Sequence, residues 1–220
     1  MLAAFALSTG CQNKSADTAD QTNATAASVV AESPTDNAVI RAIMDRRSVR
    51  KYKPEPVPKE MLDVILHCGI NAPNAMNEQR WEVRVTNSKA FIDGVTKVFI
   101  ESAKDDERVQ KMVGDPDFRN MFRNAPTVIF VAGKADEKSS PIDCGLLGEN
   151  IMLAAQSMGL GTCCLGSAAG FLNSNPGAAN YLKQLAFSDG YELLYAIAIG
   201  YPDESPEAKP RDASKIRYIE

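Results

Sequence analysis

Histidine is almost absent from this chain of 220 residues, and its single copy excludes several kinds of catalysis. His67 lies inside a predicted helix beside Cys68, where a structural role is expected, and one histidine so placed cannot form a Ser-His-Asp or Cys-His arrangement. The five cysteines contain no CxxC pair, so metal-ligand spacing is missing as well. Any catalytic chemistry must therefore come from a cofactor.

Net positive charge is also missing, because the formal net charge is −4 and the isoelectric point is about 5.2. A general nucleic-acid binder must neutralise many phosphates, so we expect no nucleic-acid partner. Hydrophobic residues make up 45% and charged residues 24%, which is ordinary usage for one globular domain of this length. A small basic cluster in such an acidic protein suits a single small anion.

The first ten residues are apolar and small, and Cys11 follows them directly. This segment is similar to the end of a bacterial lipoprotein signal, in which the cysteine is lipidated, although no Lys or Arg precedes the apolar run. Ten residues are too few to span a bilayer. We predict that residues 1–11 are the remnant of such a signal, and that Cys11 anchors an exported protein on the periplasmic or surface side. The alternative is a disordered leader on a cytoplasmic protein.

Residues 12–38 are rich in Ala, Thr, Asn, Ser and Asp and contain no aromatic residue. Such a segment cannot bury enough apolar surface to offset its ordering entropy. We interpret it as a flexible linker that precedes a folded domain at residues 39–220.

Apolar periodicity divides the folded domain into helices and strands that do not alternate regularly. Helices are predicted at residues 39–47, 58–72, 89–103, 142–158 and 177–185, with a helical turn at 118–122. Strands are predicted at residues 81–86, 127–132, 162–165 and 193–201. Residues 104–108 are charged and are expected to be solvated. This order favours an α+β fold over a doubly wound one.

The folded domain contains four cysteines, which we interpret mainly as buried free thiols. They are Cys68, Cys144, Cys163 and Cys164. A disulfide between Cys68 and Cys144 is the alternative if the protein is exported.

A basic block ends the first predicted helix, and it consists of Arg46, Arg47, Ser48 and Arg50. Arginine matches phosphate oxygens with its fixed fork of donors. The alternative is a solvated helix end, where cations are stabilising without any ligand. Lys209 and Arg211 form a second cluster near the end of the chain, and spacing alone does not show whether the clusters meet.

A polar, turn-forming segment at residues 72–81 closes one helix and opens a strand. Asn77 and Gln79 can both donate and accept, so they could contact the edge of a pyrimidine-like ring. The alternative is an ordinary capping loop, and Trp81 is expected in the core. The glycine-rich run at residues 159–167 matches neither a Walker loop nor the dinucleotide fingerprint.

Taken together, these segments resemble the nitroreductase family of FMN-dependent oxidoreductases. The resemblance covers about residues 39–220 and rests on residues 46–52, residues 72–81, and residues 149–155 running into 159–162. It implies an α+β fold, namely an α/β sandwich in which helices flank a mixed central sheet. It also implies an intertwined homodimer with FMN bound at the interface.

The resemblance assigns one group of residues to the phosphate end and the chain of the cofactor. Phosphate contacts are implied for Arg46, Lys209 and Arg211. Contacts with the ribityl chain and the pyrimidine edge are implied for Arg47, Ser48 and Arg50.

A second group is assigned to the flavin ring. Contacts from the other subunit are implied for Pro73, Asn74, Ala75 and Asn77. Leu165 and Gly166 are implied to pass behind the ring, where a backbone N–H can bond to flavin N5. Arg80 stands where the family often has Pro, and Asn74 replaces a common Ser.

The implied activity is that of an FMN-dependent NAD(P)H oxidoreductase with ping-pong kinetics. Hydride passes from NAD(P)H through flavin N5 to a nitroaromatic, quinone or similar electron-poor acceptor, and acceptor specificity is expected at residues 103–124. The alternatives are a lipid-anchored flavin-binding module without turnover, a dehalogenase or flavin-fragmenting relative of the same fold, and a structural lipoprotein with a degenerate site.

Overall fold

Four antiparallel strands form the centre of the protein in a computed structural model that describes residues 37–220. In chain order they are β1 (Trp81–Thr86), β2 (Thr127–Lys134), β3 (Gly161–Leu165) and β4 (Tyr191–Gly200). The spatial order is β1-β2-β4-β3, so the two longest strands are central. Every residue of β2 except Lys134 is buried, as its continuous apolar sequence predicts.

The predicted mixed sheet is wrong for these four strands, because each of their three pairings is antiparallel. A parallel contact does occur at the edge of the sheet, where Ser48 forms a single bridge with Thr162 of β3. Ser48 belongs to the extended chain after the first helix rather than to a strand, so sequence periodicity did not reveal this contact.

Seven α-helices surround the sheet within the described part of the chain. They are α1 (Ala38–Asp45), α2 (Lys59–Ile70), α3 (Lys89–Ser102), α4 (Glu107–Val113), α5 (Ser140–Ser157), α6 (Gly166–Ser174) and α7 (Ala179–Gln184). Short 3-10 turns lie at Ala75–Asn77, Pro176–Ala178 and Ala213–Lys215. Among residues 37–220 no helix combines the length and apolarity needed to cross a bilayer.

The two faces of the sheet carry separate apolar clusters, which makes the protein an α/β sandwich as predicted. Successive residues of β4 point to opposite faces, so Ala196 joins the cluster under α3, α6 and α7, whereas Ile197 joins the cluster under α2 and α5. Phe130 and Leu147 are fully buried members of the two clusters. The α+β prediction is therefore confirmed.

Four helical elements differ from the sequence prediction. Residues 118–122 form no helix, because two asparagine side chains take the backbone hydrogen bonds of this loop. A helix begins instead at Glu107, where Asp106 caps α4, and α6 follows β3 without any connecting loop. The predicted helix at 177–185 begins as a 3-10 turn and becomes α-helical only at Ala179.

The predicted leader at 1–11 and nearly all of the predicted linker lie outside the described residues. Helix α1 begins at Ala38, and the Asn37 side chain caps it by accepting from the Val39 N–H at 2.8 Å.

All four cysteines of the described chain are free, but only Cys144 and Cys163 are buried. Cys164 is exposed because neighbouring residues of β3 face opposite sides.

Candidate functional site

The basic block lies along the beginning of edge strand β3. The Val49 N–H donates to the carbonyl oxygen of Thr162 at 2.9 Å, and Ser48 bridges the same residue. A Cβ on Gly161 would come within 2.8 Å of the Val49 side chain, so glycine permits this close approach. The Tyr52 hydroxyl donates to the Val49 carbonyl, which fixes the chain that follows. Two segments far apart in sequence therefore form one edge of the molecule.

Arg46 and Arg50 bring positive charge to this edge. The Nε atom of Arg46 lies 3.5 Å from Glu149 Oε1 of α5, and Nη1 of Arg50 donates to the Ser48 carbonyl at 2.9 Å. Burial raises the pKa of the Cys163 thiol, and Arg50, Arg123 and Arg46 act against that rise. Three guanidinium groups thus lie close enough to β3 to act on one of its side chains.

Arg47 has a different local role from its neighbours. Its Nη1 atom donates to the Met44 carbonyl at 2.6 Å and to the Arg46 carbonyl at 2.8 Å, at the C-terminal end of α1. A cation in this position satisfies carbonyls that the helix leaves unpaired. The predicted contact between Arg47 and a cofactor stays a prediction, and it would require the guanidinium to leave these carbonyls.

The end of β3 is also the beginning of a helix. Leu165 is buried, whereas Gly166 is exposed and is the first residue of α6. The first N–H groups of α6, as in any helix, have no intrahelical acceptor, and no side chain caps them. They carry the positive end of the helix dipole. A Cβ on Gly166 would meet nothing within 4 Å, so the space beside this helix end is open.

The loop around the 3-10 turn at Ala75–Asn77 is fixed to the first turn of α5. The Ala75 N–H donates to Asp143 Oδ1 at 3.2 Å, and Asn74 Oδ1 accepts from the Gln79 N–H at 2.9 Å. Met76 and Asn77 both have φ of 55°, in the left-handed region. Asp143 is 4% exposed, and its Oδ2 atom has no partner among the described residues.

Among the residues that the structure describes, no hydrogen bond or ion pair joins this loop to the basic block. Asp143 lies six residues before Glu149 in α5, so the loop and Arg46 contact different parts of this helix. Pro73 and Asn77 are exposed, and Asn74 and Ala75 are half-buried. The predicted contacts of these four residues, from a second subunit, stay predictions.

The C-terminal basic residues likewise make no hydrogen bond or ion pair with the basic block in the described structure. Lys209 and Arg211 are exposed, and Arg211 Nη1 donates to the Lys209 carbonyl at 3.3 Å. Their predicted role at a phosphate stays a prediction.

Trp81, His67 and Arg80 were also singled out in the sequence, and the structure shows where each of them lies. Trp81 is 8% exposed and belongs to the core, as predicted. His67 is exposed on α2, with Nδ1 2.7 Å from the carbonyl oxygen of Asp63. Arg80 forms an ion pair with Glu137 at 3.1 Å and donates to Ser139 Oγ at 3.2 Å. This arginine therefore fixes the turn to the start of α5 where the family often has proline.

One contact of this site was missed at the level of sequence, because Glu149 pairs with Arg46. The sequence offers no periodic signal for this contact, which depends on which elements become neighbours in the folded chain.

Fold and site together define an α+β protein in which arginines and an open helix N-terminus share one sheet edge. Such an edge suits a ligand that carries both an anion and a polar ring. A sequence model of the Nitroreductase family matches residues 43–201 of this chain. The chain belongs to the nitroreductase family, which confirms the resemblance inferred from its motifs.

Individual relatives agree with this assignment. The chain is 30% identical over 185 residues to the NADPH-flavin oxidoreductase of Vibrio harveyi, covering 80% of this chain and 70% of that protein. The structure of a nitroreductase with bound FMN from Bacteroides fragilis is similar, with a TM-score of 0.72 and 26% identity, covering 84% of this chain and all of the other. An FMN-bound nitroreductase from Desulfitobacterium hafniense has a TM-score of 0.74 at 26% identity, covering 84% and 99% of the two chains.

Proposed function

We propose that this protein is an FMN-dependent NAD(P)H oxidoreductase that reduces a small, electron-poor acceptor. The observation that carries the proposal is the position of Arg46 and Arg50 along β3, which ends at the open N-terminus of α6. The names of the relatives support the same class, since they include a flavin oxidoreductase and nitroreductases crystallised with FMN.

The residues at this edge fit the two ends of FMN. Arg46 and Arg50 supply charge-assisted donors for the phosphate and the chain, and Ser48 adds a hydroxyl beside them. The uncapped N–H groups at Gly166 donate toward the ring, where the helix dipole favours negative charge. Bound FMN supplies the two-electron chemistry between NAD(P)H and the acceptor. No side chain of this edge is required as a general acid or base.

We further propose that the active form is a homodimer. Helix α1 buries none of its residues in the single chain, and Val39 and Met44 are 63% and 67% exposed. Ile142 of α5 is 67% exposed as well. Apolar surface of this kind favours association with a second copy. In the dimer, residues 73–77 of one protomer reach the FMN held by its partner, and Lys209 and Arg211 complete the phosphate site.

Export and anchoring through Cys11 remain a separate proposal that rests on the sequence of residues 1–11. Expression in a bacterial host with a palmitate analogue, followed by fractionation, checks it directly. Label that stays with the membrane fraction and disappears in Cys11→Ser supports the anchor, whereas unlabelled soluble protein contradicts it.

Absorbance spectroscopy of the purified protein tests the cofactor. We expect flavin bands, or their appearance and an increased thermal midpoint when FMN is added, followed by NAD(P)H oxidation with a quinone or nitroaromatic acceptor under anaerobic conditions. A protein that gains neither bands nor thermal stability would refute the proposal. A protein that binds FMN but oxidises no NAD(P)H would instead be a flavin-binding module.

A further inference from the structure

A turn before β2 holds Arg123 in an unusual backbone conformation. Arg123 and Asn124 have φ of 58° and 64°, in the left-handed region that non-glycine residues adopt infrequently. Asn124 Oδ1 accepts from the N–H groups of Arg119 and Asn120, at 2.7 and 3.0 Å. Asn120 in turn accepts from the Phe122 N–H at 2.9 Å through its side chain. Side-chain hydrogen bonds therefore stabilise the turn before any ligand is present.

The turn forms one wall of a cavity of about 430 Å³. The lining also includes Arg50 of the basic block and Lys51 and Tyr52 after it, and Met112 and Phe118 supply apolar surface. The cavity therefore shares Arg50 with the proposed FMN site and extends that site toward residues 112–124.

Among the three arginines that line this cavity, Arg123 is the one whose guanidinium has no partner in the described chain, and the ammonium of Lys51 is unpaired as well. Arg123 has no hydrogen bond or ion pair with any residue of the described chain, whereas Arg119 donates to the Asn124 carbonyl at 3.3 Å. Four carboxylates also line the cavity, but no ion pair joins them to Arg123. Glu204 accepts the Arg50 backbone N–H, and Asp115 accepts the Asp117 N–H at 2.9 Å. An incoming anion would thus find the exposed guanidinium of Arg123 unpaired, on a turn whose backbone is held by side-chain hydrogen bonds.

We propose that Arg123 binds the anionic group, a phosphate or a carboxylate, of the molecule that exchanges electrons with the flavin. This inference rests on the proposed function, and it makes Arg123 a specificity-determining residue for the donor or for the acceptor. The anion lies in the cavity beside Arg50, and the turn held by Asn120 and Asn124 fixes the backbone from which the Arg123 side chain extends.

Two pairs of ligands, each differing in one anionic group, test the inference. They also distinguish a phosphate on the electron donor from a carboxylate on the acceptor. Binding to the full-length, oxidised protein is measured by calorimetry without turnover. NADP⁺ against NAD⁺ tests a phosphate on the donor, and 4-nitrobenzoate against 4-nitrobenzamide tests a carboxylate on the acceptor. We expect the wild type to prefer the anionic member of one pair by about tenfold to a hundredfold, as for a hydrogen bond to a charged group.

Arg123→Gln is expected to reduce that preference to below about twofold, and Arg123→Lys to retain part of it, because the ammonium keeps the charge but loses the fork. Asn124→Ala should weaken the preference with Arg123 still present. Lys111→Gln, which removes an exposed cation of α4 outside the cavity, should change nothing. FMN affinity should stay unchanged in Arg123→Gln.

The inference is wrong if the wild type prefers neither anionic ligand, if Arg123→Gln weakens both members of a pair equally, or if it releases FMN. Failure of the wild type to bind FMN refutes the proposed function separately. The same titrations on the apoprotein then still decide whether Arg123 binds an anion, because the turn is formed by the chain itself.

Discussion

Arg46 is the residue on which the proposed FMN site depends most directly, because it lies between β3 and α5 with one weak partner. Its pair with Glu149 is 3.5 Å long and partly exposed, so it contributes little to stability. Arg46→Ala should raise the FMN dissociation constant about 10- to 100-fold, the usual effect of losing charge-assisted hydrogen bonds. Fluorescence titration with FMN measures this change.

Arg108→Ala is the matched control for Arg46. Arg108 is exposed on α4 and pairs only with neighbouring Asp106, so its loss should leave FMN affinity unchanged. Equal effects of the two substitutions would show that overall charge, rather than the site at β3, determines FMN affinity.

Burial of the Cys144 thiol makes the free energy of unfolding depend on pH in the alkaline range. Burial raises the pKa of this thiol from its usual value near 9 to about 11. Above pH 9 the unfolded chain loses this proton while the folded chain keeps it, so the free energy of unfolding falls as pH rises through 11. The contribution is fully present below pH 9, and its loss is on the order of 2 kcal/mol.

Cys144→Ser should therefore reduce the fall in stability between pH 8.5 and 11, as measured by urea unfolding. The reduction will be partial, because burial also raises the pKa values of Cys163 and Tyr195. Cys68→Ser, at an exposed position of α2, controls for the loss of a thiol. An unchanged pH dependence in Cys144→Ser would contradict the role assigned to its burial.

At the level of elements, α5 is held against β4 by a close contact that requires glycine. A Cβ on Gly148 would clash with the Tyr195 hydroxyl, which itself donates to the Cys144 carbonyl. Gly148→Ala should lower the free energy of unfolding by about 1–3 kcal/mol, the cost of overpacking a well-packed contact. Denaturant titration measures this loss.

Gly170 of α6 provides a comparison, since a Cβ there would meet nothing within 4 Å. Gly170→Ala should stabilise the protein by about 0.5–1 kcal/mol, because alanine loses less backbone entropy in a helix. If both substitutions destabilised equally, the contact with Tyr195 would not be the cause.

The helices and strands that the sequence predicted well are those whose apolar patterns lie within the element itself. The continuous apolar runs of β2 and β4 identified both central strands, and the apolar spacing of α3 gave its extent within one residue. Helix α6 was missed because Gly166 and Gly170 weaken its helical signal and no side chain caps its start. The turn at Arg123 was missed because its conformation depends on hydrogen bonds from Asn120 and Asn124.

The site was predictable in composition but not in geometry. Sequence motifs identified Arg46, Ser48 and Gly166, and the structure brings their segments to one edge through β3. The orientation of Arg47 toward the end of α1 depends on where its long side chain finds acceptors, which no motif encodes.

At the scale of the whole molecule, the proposed dimer links apolar surface to FMN binding. Ile43 of α1 is 50% exposed and Ile142 of α5 is 67% exposed, although α1 contacts α5 within the chain. Replacing both with Asp should place charges in the interface, where unpaired charges are costly. We expect the double variant to sediment as a monomer, whereas the wild type sediments as a dimer.

The same double variant should also bind FMN at least about tenfold more weakly, because residues 73–77 of the partner would no longer reach the cofactor. Lys97→Asp, on the exposed side of α3, adds negative charge elsewhere and should leave both properties unchanged. A wild type that stays monomeric while binding FMN tightly would contradict the dimer and the contacts assigned to Asn74 and Asn77. If the double variant were monomeric but bound FMN with unchanged affinity, the proposed wild-type dimer would stand. The whole FMN site would then lie within one chain.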